Sequence, residues 1–461
     1  MVDILNSQPS PLQEADFDRA FERLQALVDL EAANQLFVQR AHTVYTACVV
    51  LWMLVYQRLK PDASLENAVK HLIETRPDYL PDNKRLSENR LSLTTGAYSA
   101  ARTRLPLEVV KWFANEVSTA IIATTDPSVD QRRAFLIDGT TFSLAPETEL
   151  QLKFPPGSNQ HGEGVWPIAL ATVFHELSSG CALPPEVGPM YGADAISETA
   201  LARRGLVKLP PHSIVMGDTG FGIFGVVYDV VHHGHDALFR VKTSNFEALR
   251  KQATLISQSE RHKTYQVTWI PTKANRQTYG PQLPPDASVD VFLHEVVVNE
   301  SLTLLLVTTL THDAWTLAEL FKCRYDVEVD IRNFKVILDA ENIRAKSMDL
   351  FLKELYTSVV AYNLTSQFRR EAAKLAQLPP RRLSFKRVWT TFQTFLLRHL
   401  HTDAASWRAA FIKALRYATQ DKLPNRPGRA YKRENYRKAA KNSHFPKKEK
   451  RPEKPTTPNV N

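Results

Sequence analysis

Three acidic residues in this sequence have the surroundings that a metal-dependent phosphoryl-transfer site needs. Asp138 ends the apolar run Ala134 to Ile137, and Asp218 follows a second apolar run at 213–216. Each pattern is typical of a buried strand that delivers a carboxylate at its carboxyl end, just before a turn. Glu328 lies instead in a long helical segment. Mg²⁺ takes oxygen ligands and keeps several waters, so a few carboxylates suffice to hold two ions beside a phosphate.

A single helix is predicted from about Ala314 to Ala340, and it places Glu328 among cations. At roughly 100° per residue, five side chains fall within about 80° of arc on one face. They are Phe321, Arg324, Glu328, Arg332 and Lys335. Two ordinary explanations stay open at this point. Aspartate is a common turn residue, and Glu328 with Arg332 forms a usual i,i+4 surface pair.

Other reaction classes lack their sequence signatures. The glycines around Asp218 do not form a phosphate-binding loop, because no Gly-x-x-x-x-Gly-Lys-Ser/Thr occurs, so an ATP-driven mechanism is not supported. No Gly-x-Ser-x-Gly elbow is present to position a nucleophilic serine. Cys48, Cys181 and Cys323 are odd in number and far apart. They argue for a reducing compartment and against a zinc site or a disulfide framework.

Hydrophobic periodicity predicts the elements that must position the three carboxylates. The N-terminal part is helical, with Tyr98, Arg102 and Arg104 as possible DNA contacts. It is followed by an α/β layer with alternating strands and helices, and then by a segment with four strand-like runs and no helix. The predicted divisions are 1–128 (helical region), 129–235 (α/β core with Asp138 and Asp218), 236–312 (all-β insertion), 313–420 (Glu328 helix and packing helices) and 421–461 (basic tail).

The positive charge of the chain is concentrated at its C-terminal end. The 461 residues carry a net charge of +9, and residues 421–461 hold 13 Lys and Arg against 4 Asp and Glu. The rest of the chain therefore has 45 residues of each sign. A charged, proline-rich tail of this kind is predicted to be disordered in isolation and to bind nucleic acid without sequence preference.

A membrane location is not expected. The most apolar stretch, residues 43–56, is shorter than the roughly 20 residues that a bilayer-spanning helix needs. The amino terminus lacks the cationic and apolar regions of a signal peptide, so export is not predicted either.

These motifs resemble the DDE transposases of bacterial insertion sequences, in the IS-four group. The helix signature of that group is Tyr, two residues, Arg, three residues, Glu, six residues, Lys. Phe321, Arg324, Glu328 and Lys335 follow this spacing, with Phe in place of Tyr. DGTTF at Asp138 and GDTGF at Asp218 are similar to the two aspartate motifs of the group, and a β-rich segment separates the second motif from the helix.

The resemblance implies an RNase H-like catalytic core interrupted by the all-β insertion. In such a core Asp138, Asp218 and Glu328 would bind two Mg²⁺ or Mn²⁺ ions. The stripe of Phe321, Arg324, Arg332 and Lys335 would contact DNA. The implied partners are the terminal inverted repeats of a transposon and a target DNA, bound by a homodimer on paired ends. The implied location is the bacterial cytoplasm, at the nucleoid.

Two departures from the family pattern keep other functions open. Phe321 lacks the hydroxyl of the usual tyrosine, and Thr219 stands where the family usually has an arginine beside the metals. Neither change removes a metal ligand. The alternatives are a catalytically inactive DNA-binding remnant of a transposase, and an RNase H-like nuclease that cuts DNA without joining it.

Overall fold

The computed structural model describes residues 14–37, 43–60, 64–75, 80–159, 162–279, 283–337, 343–399 and 403–424. The chain divides into two compact units, Met1–Lys422 and Leu423–Asn461. The sheet, the packed helices and the three predicted acids all belong to the first unit. Most of the predicted basic tail, from residue 425 onward, lies outside the described residues. Its first two residues belong to the first unit, since Asp421 accepts a hydrogen bond from the Ser384 backbone and Lys422 forms a bridge with Leu383.

The fold is mixed α/β, as predicted, and is organised around one large sheet. Its strands are β1 (Ala134–Ser143), β4 (Ile168–Glu176), β5 (Glu186–Pro189), β6 (Ile214–Gly217), β7 (Asp236–Arg240), β8 (Thr254–Gln258), β9 (His262–Trp269), β10 (Val289–Asn299) and β11 (Leu302–Thr308). The order of these nine strands is β5-β4-β1-β6-β7-β11-β10-β9-β8. The β1–β6 and β6–β7 pairs are parallel and the other pairs are antiparallel. Strands β2 (Ser158–Asn159) and β3 (Gly162–Glu163) form a separate hairpin.

Helices precede, interrupt and follow the sheet. Those before it are α1 (Glu14–Val28), α2 (Ala32–Gln35), α3 (Ala47–Leu59), α4 (Leu65–Thr75), α5 (Lys84–Ser87), α6 (Gly96–Arg104) and α7 (Leu107–Ala123). Those between its strands are α8 (Thr148–Lys153), α9 (Glu198–Gly205), α10 (Phe224–His232), α11 (Thr243–Arg250) and α12 (Lys273–Tyr279). Those after it are α13 (Ala314–Lys322), α14 (Tyr325–Arg332), α15 (Met348–Leu375), α16 (Phe385–His399) and α17 (Ala404–Ala418). In the part of the chain that the structure describes, none of these helices combines the length and apolarity needed to cross a bilayer.

Side chains of the central strands alternate between two cores, one on each face of the sheet. In β1, Phe135 and Ile137 belong to a large core that includes the buried residues of α7 and α15. Ala134 and Leu136 belong to a smaller core, built with residues of α13 and with Val327 of α14. The next two residues of β1 continue this alternation, so Asp138 faces the α13–α14 side and Gly139 faces the other side.

The prediction of an all-β segment over 236–312 is wrong. The segment contains α11 and α12, and its strands join the central sheet rather than forming a separate domain. β7 lies parallel to β6, and β11 lies antiparallel to β7. Strand pairing therefore connects this segment directly to the strand that leads to Asp218.

The single helix predicted over 314–340 is also wrong. The chain forms α13, breaks at Cys323 and Arg324, forms α14, and then continues as a π-helix over Asn333–Ile337. Residues 338–340 lie outside the described residues. Because of the break, Phe321 and Glu328 are on different helices. Short π-helical turns are frequent at functional sites, since they shift the side chains that follow.

Candidate active site

Asp138 and Asp218 are neighbours across two parallel strands. Contrary to the prediction, Asp138 is not at a strand end, because β1 continues to Ser143. β6 ends at Gly217, and its pairing with β1 includes Leu136 with Met216. Two further residues along each segment lead to Asp138 and Asp218, just beyond the last paired residues, and the charge of Asp218 acts on the pKa of Asp138.

Each aspartate is oriented by one backbone hydrogen bond. Asp138 Oδ1 accepts the N–H of Gly139 at 2.8 Å, and Asp218 Oδ1 accepts the N–H of Gly220 at 2.8 Å. Burial raises the pKa of Asp138 to about 6, with the Gly139 N–H opposing this and the charge of Asp218 adding to it. Two carboxylates crowded in this way favour either a proton or a bound cation between them.

Glu328 is held by Arg324 in this structure. The Arg324 guanidinium lies 2.9 Å from Glu328 Oε1 and stacks on the ring of Tyr325, 4.5 Å from its centroid. The charge of the same guanidinium acts to lower the pKa of Asp138, so it is close to both acids. Arg324 is buried, whereas Glu328 is exposed. The structure thus links Glu328 to Asp138 only through a shared arginine, and among the described residues it does not gather the three predicted acids into one metal-holding group.

The other members of the predicted stripe are separated by the helix break. Phe321 is only 2% exposed and packs in the smaller core, so its side chain is not available to DNA in this structure. Arg332 is exposed. Lys335 donates a hydrogen bond to the carbonyl of Thr141 at 2.8 Å, three residues beyond Asp138 on β1. Arg332 is therefore accessible from solvent, and Lys335 is held against the strand that carries Asp138.

A half-buried arginine, Arg381, holds the side of α14 that faces away from Glu328. Arg381 contacts Asp330 at 2.6 Å and Asp326 at 3.3 Å, both on α14. It also donates to the carbonyl of Leu177, at the end of β4, at 3.2 Å. Asp330 is fully buried. This network ties α14 to the sheet while its opposite face keeps Glu328 in solvent.

The sequence reasoning missed Glu198, an acid that the structure brings to the aspartates. It is the first residue of α9, which Ser197 caps by accepting the N–H of Ala200 at 3.2 Å. Its charge contributes to the raised pKa of Asp138. The pKa of Glu198 is itself raised, first by partial burial of its carboxyl and then by the charge of Asp218. The one sequence signal was the Ser-Glu helix start, which gives the helix boundary but not the strand it contacts.

The carboxylate oxygens of Asp138 and Asp218 are ligands of the kind that Mg²⁺ or Mn²⁺ prefers, although protein side chains alone do not surround an ion here. Within the described ranges, no three His, Cys, Asp or Glu side chains lie together closely enough to hold a metal ion. Mg²⁺, however, is usually held by one or two carboxylates, with water and substrate phosphates completing its shell. The Asp138–Asp218 pair meets that need, and Arg324 neutralises Glu328 in this structure.

The predicted DNA contacts of the N-terminal region are mostly buried. Tyr98 is fully buried and donates to Gln57 at 2.8 Å, and Arg102 is bound to Glu354 at 2.7 Å. Neither side chain is available to DNA. Four of the exposed cations of this region line a cavity of about 850 Å³: Lys84, Arg85, Arg90 and Arg104.

Comparison with known proteins does not assign a function to this chain. No protein-family model and no curated protein matches the sequence. Among solved structures, the chain is similar to the piggyBac transposase in its synaptic complex with hairpin DNA, with a TM-score of 0.39 and 10% identity. That similarity covers 91% of this chain and 85% of the other. A likeness this low carries no weight for function, so the residues of this chain must carry any functional assignment.

Proposed function

We propose that this protein is a DDE-type transposase that cleaves transposon-end DNA and transfers the freed 3′ ends to target DNA. The observation that carries the proposal is the proximity of Asp138 and Asp218, together with Arg324, which binds Glu328 and whose charge also acts on Asp138. The raised pKa of Asp138 supports it, because it reflects burial and negative charge that a divalent cation would offset.

Asp138, Asp218 and Glu328 would hold two Mg²⁺ or Mn²⁺ ions. When bound, such ions supply an activated attacking oxygen and charge neutralisation at the leaving 3′ oxygen. Asp138 and Asp218 are already oriented by their backbone hydrogen bonds. Glu328 must first exchange its partner, since Arg324 now occupies its carboxylate. A DNA phosphate entering the site would provide that exchange by pairing with Arg324.

The neighbouring cations would align the DNA strand. Lys335 bonds to the carbonyl of Thr141 on β1, Arg332 is exposed at the end of α14, and both can form charge-assisted bonds to phosphates. Phe321 has no part in this contact, because it is buried. Thr219 leaves the site without the cation that the family usually has there, while Arg324 of the helix signature acts on Asp138. We expect a homodimer on paired transposon ends at the bacterial nucleoid, as the family resemblance implies.

The first test is a cleavage and joining assay. The substrate is a labelled duplex ending in the inverted repeats that flank the gene, incubated with full-length protein and Mg²⁺ or Mn²⁺. We expect nicking at the 3′ end of the repeat and then joining to a supercoiled target. Glu328→Gln should lose cleavage by roughly a hundredfold to a thousandfold, because a metal ligand is lost, while binding to the duplex stays within about twofold.

Each rival function has a distinct outcome in this assay. A nuclease would cut the labelled strand and never join it. An inactive remnant would bind the duplex and show no nicking at any metal concentration. Cleavage by Glu328→Gln at the parental rate would exclude Glu328 as a ligand.

The basic tail should supply affinity that does not depend on sequence. Residues 425–461 contain 12 Lys and Arg against 3 Asp and Glu. Removing them should flatten the dependence of log Kd on log salt, because fewer counterions are released when DNA binds. Truncation after Pro424 keeps Asp421 and Lys422, which bond to Ser384 and Leu383. An unchanged slope would mean that the tail only adds solubility.

A further inference from the structure

A cavity of about 850 Å³ lies between α4, α5 and α6, in the helical region that precedes the sheet. Its volume is in the range of pockets that hold small molecules. Ala97, Ala100 and Arg104 of α6 all line it, because residues three, four and seven positions apart share one face of a helix. The two alanines occupy little volume, which leaves room for a ligand beside Arg104.

The opposite face of α6 is anchored in the protein core. Tyr98 is fully buried, and its hydroxyl donates to Gln57 Oε1 on α3 at 2.8 Å. Arg102 is buried as well, and its guanidinium lies 2.7 Å from Glu354 Oε1 on α15. These contacts fix α6 to two other helices. One wall of the cavity is therefore in place before a ligand binds, which lowers the ordering cost of binding.

The side chains that line the cavity carry an excess of positive charge. Among its described lining residues, four are cations and the one acid is Glu88. Glu88 is already engaged by Lys84 at 3.7 Å and by Arg90 at 3.0 Å. Arg85 and Arg104 are exposed, and within the part of the chain that the structure describes neither guanidinium has an ion pair or a hydrogen bond. These two groups are available to an anion.

An aromatic ring and apolar side chains also line the cavity. Tyr45 is half-buried, and its ring packs on that of Tyr98 with centroids 5.7 Å apart. Ile73 and Leu91 are partly buried lining residues. Aromatic side chains bind nucleobases by stacking, because every base has a π face. The lining therefore suits a ligand that combines a planar base with phosphate groups.

We infer that this cavity binds a nucleoside phosphate, with its phosphates at Arg85 and Arg104 and its base against Tyr45. The planar fork of an arginine side chain pairs with phosphate through two parallel N–H···O bonds. A free nucleotide and a nucleotide within a DNA strand share this chemistry. The cavity and the predicted metal site have no residue in common, so binding here does not depend on the proposed function.

Equilibrium binding of a fluorescent ATP analogue and of a labelled single strand to the full-length protein, in chelator, tests the two guanidinium groups. Arg85→Gln with Arg104→Gln should weaken binding of at least one probe by about tenfold or more, because charge-assisted bonds are lost. The matched control is Arg204→Gln with Arg387→Gln, which removes two exposed arginines outside the cavity. Its affinities should stay within about twofold of the wild type. Equal weakening in both double variants would reduce the effect to general charge attraction and overturn the inference.

A variant that fills the cavity without changing any charge separates a pocket from a charged surface. Ala100 is exposed on α6, so Ala100→Trp adds an indole where the ligand would lie and leaves all four cations in place. It should weaken the same probe as the loss of Arg85 and Arg104. Thermal melting confirms that each variant is folded. Wild-type affinity in Ala100→Trp would overturn binding inside the cavity.

Photolabelling distinguishes the two sources of the ligand. Free azido-ATP and a single strand that contains one azidoadenine are cross-linked to the wild type, and the labelled peptides are identified by mass spectrometry. Label on the peptides of Tyr45 or Leu91 from the free nucleotide assigns a nucleotide pocket, whereas label there only from the strand assigns a DNA contact. Absence of label on these peptides from both sources would overturn the inference. Asp138→Asn should be labelled like the wild type, so this result stands or falls independently of metal-dependent cleavage.

Discussion

Asp138→Asn should reduce metal-dependent DNA cleavage by about a thousandfold while leaving the protein folded. The amide keeps the shape of the side chain and can still accept the Gly139 hydrogen bond, but it removes the charge that an ion needs. The measurement is the single-turnover cleavage rate at saturating Mn²⁺. Asp286→Asn, an exposed acid far along the chain, serves as the control and should cleave at the parental rate.

The same variant should be more stable than the wild type at neutral pH when no metal is present. The pKa of Asp138 rises from 3.8 to about 6 in the folded protein, mainly through burial. A raised pKa in the folded state means that this group favours folding below pH 4 and loses that contribution as pH rises towards 6. At pH 7.5 the wild type carries a charge that the folded state disfavours, and the asparagine does not.

Calorimetry at several pH values tests the predicted sign of the stability difference between Asp138→Asn and the wild type. The thermal midpoint of Asp138→Asn should exceed that of the wild type by roughly 1–2 °C at pH 7.5. The difference should shrink as pH falls through 6 towards 4. Saturating Mn²⁺ should reverse the order, because only the wild type binds the ion. A variant that melts below the wild type at pH 7.5 in chelator would show that the Asp138 charge is already compensated.

The strands around the site could be predicted from the sequence, but their ends could not. The runs that lead to Asp138 and Asp218 are continuously apolar, as expected for strands buried on both faces. Where a strand stops depends on the length of its partners. β1 extends past Asp138 because β4 pairs with it as far as Ser143, and that contact is invisible in the local pattern.

The helix break before Glu328 could not be predicted, because the spacing of apolar residues is helical both before and after it. Leu317 and Phe321 pack in the same core as Val327, so hydrophobic spacing alone continues smoothly through Cys323 and Arg324. The helix after the break is held by tertiary contacts, above all those of Arg381 with Asp326 and Asp330. Such contacts are not encoded in periodicity.

Glu198 was missed for a related reason. It is 60 positions from Asp138 and has no metal-ligand spacing to any other acid. Its proximity follows from the packing of α9 on β1 and from the absence of a side chain at Gly139. Glycine in a buried strand can indicate a close approach, but it does not identify the group that approaches.

Arg381→Met should lower the free energy of unfolding by about 3–5 kcal/mol, because it leaves a buried charge without a partner. Asp330 is fully buried, its Oδ2 is bound by Arg381 at 2.6 Å, and its Oδ1 has no hydrogen-bond partner among the described residues. Equilibrium unfolding in urea measures the loss. The control is Lys322→Met, which removes an exposed pair with Glu319 on α13 and should cost no more than about 0.5 kcal/mol.

A double replacement separates the loss of the ion pair from a simple packing defect. In Arg381→Met with Asp330→Leu both members of the pair are removed, and the buried Arg369 keeps Asp326 as a neighbour of opposite charge, so most of the lost stability should return. Cleavage should not return with it. Arg381 also contacts Asp326 and the carbonyl of Leu177 just after β4, so it holds in place the helix that carries Glu328. Stability recovered without cleavage would therefore assign Arg381 to positioning Glu328, whereas recovery of both would limit it to a structural ion pair.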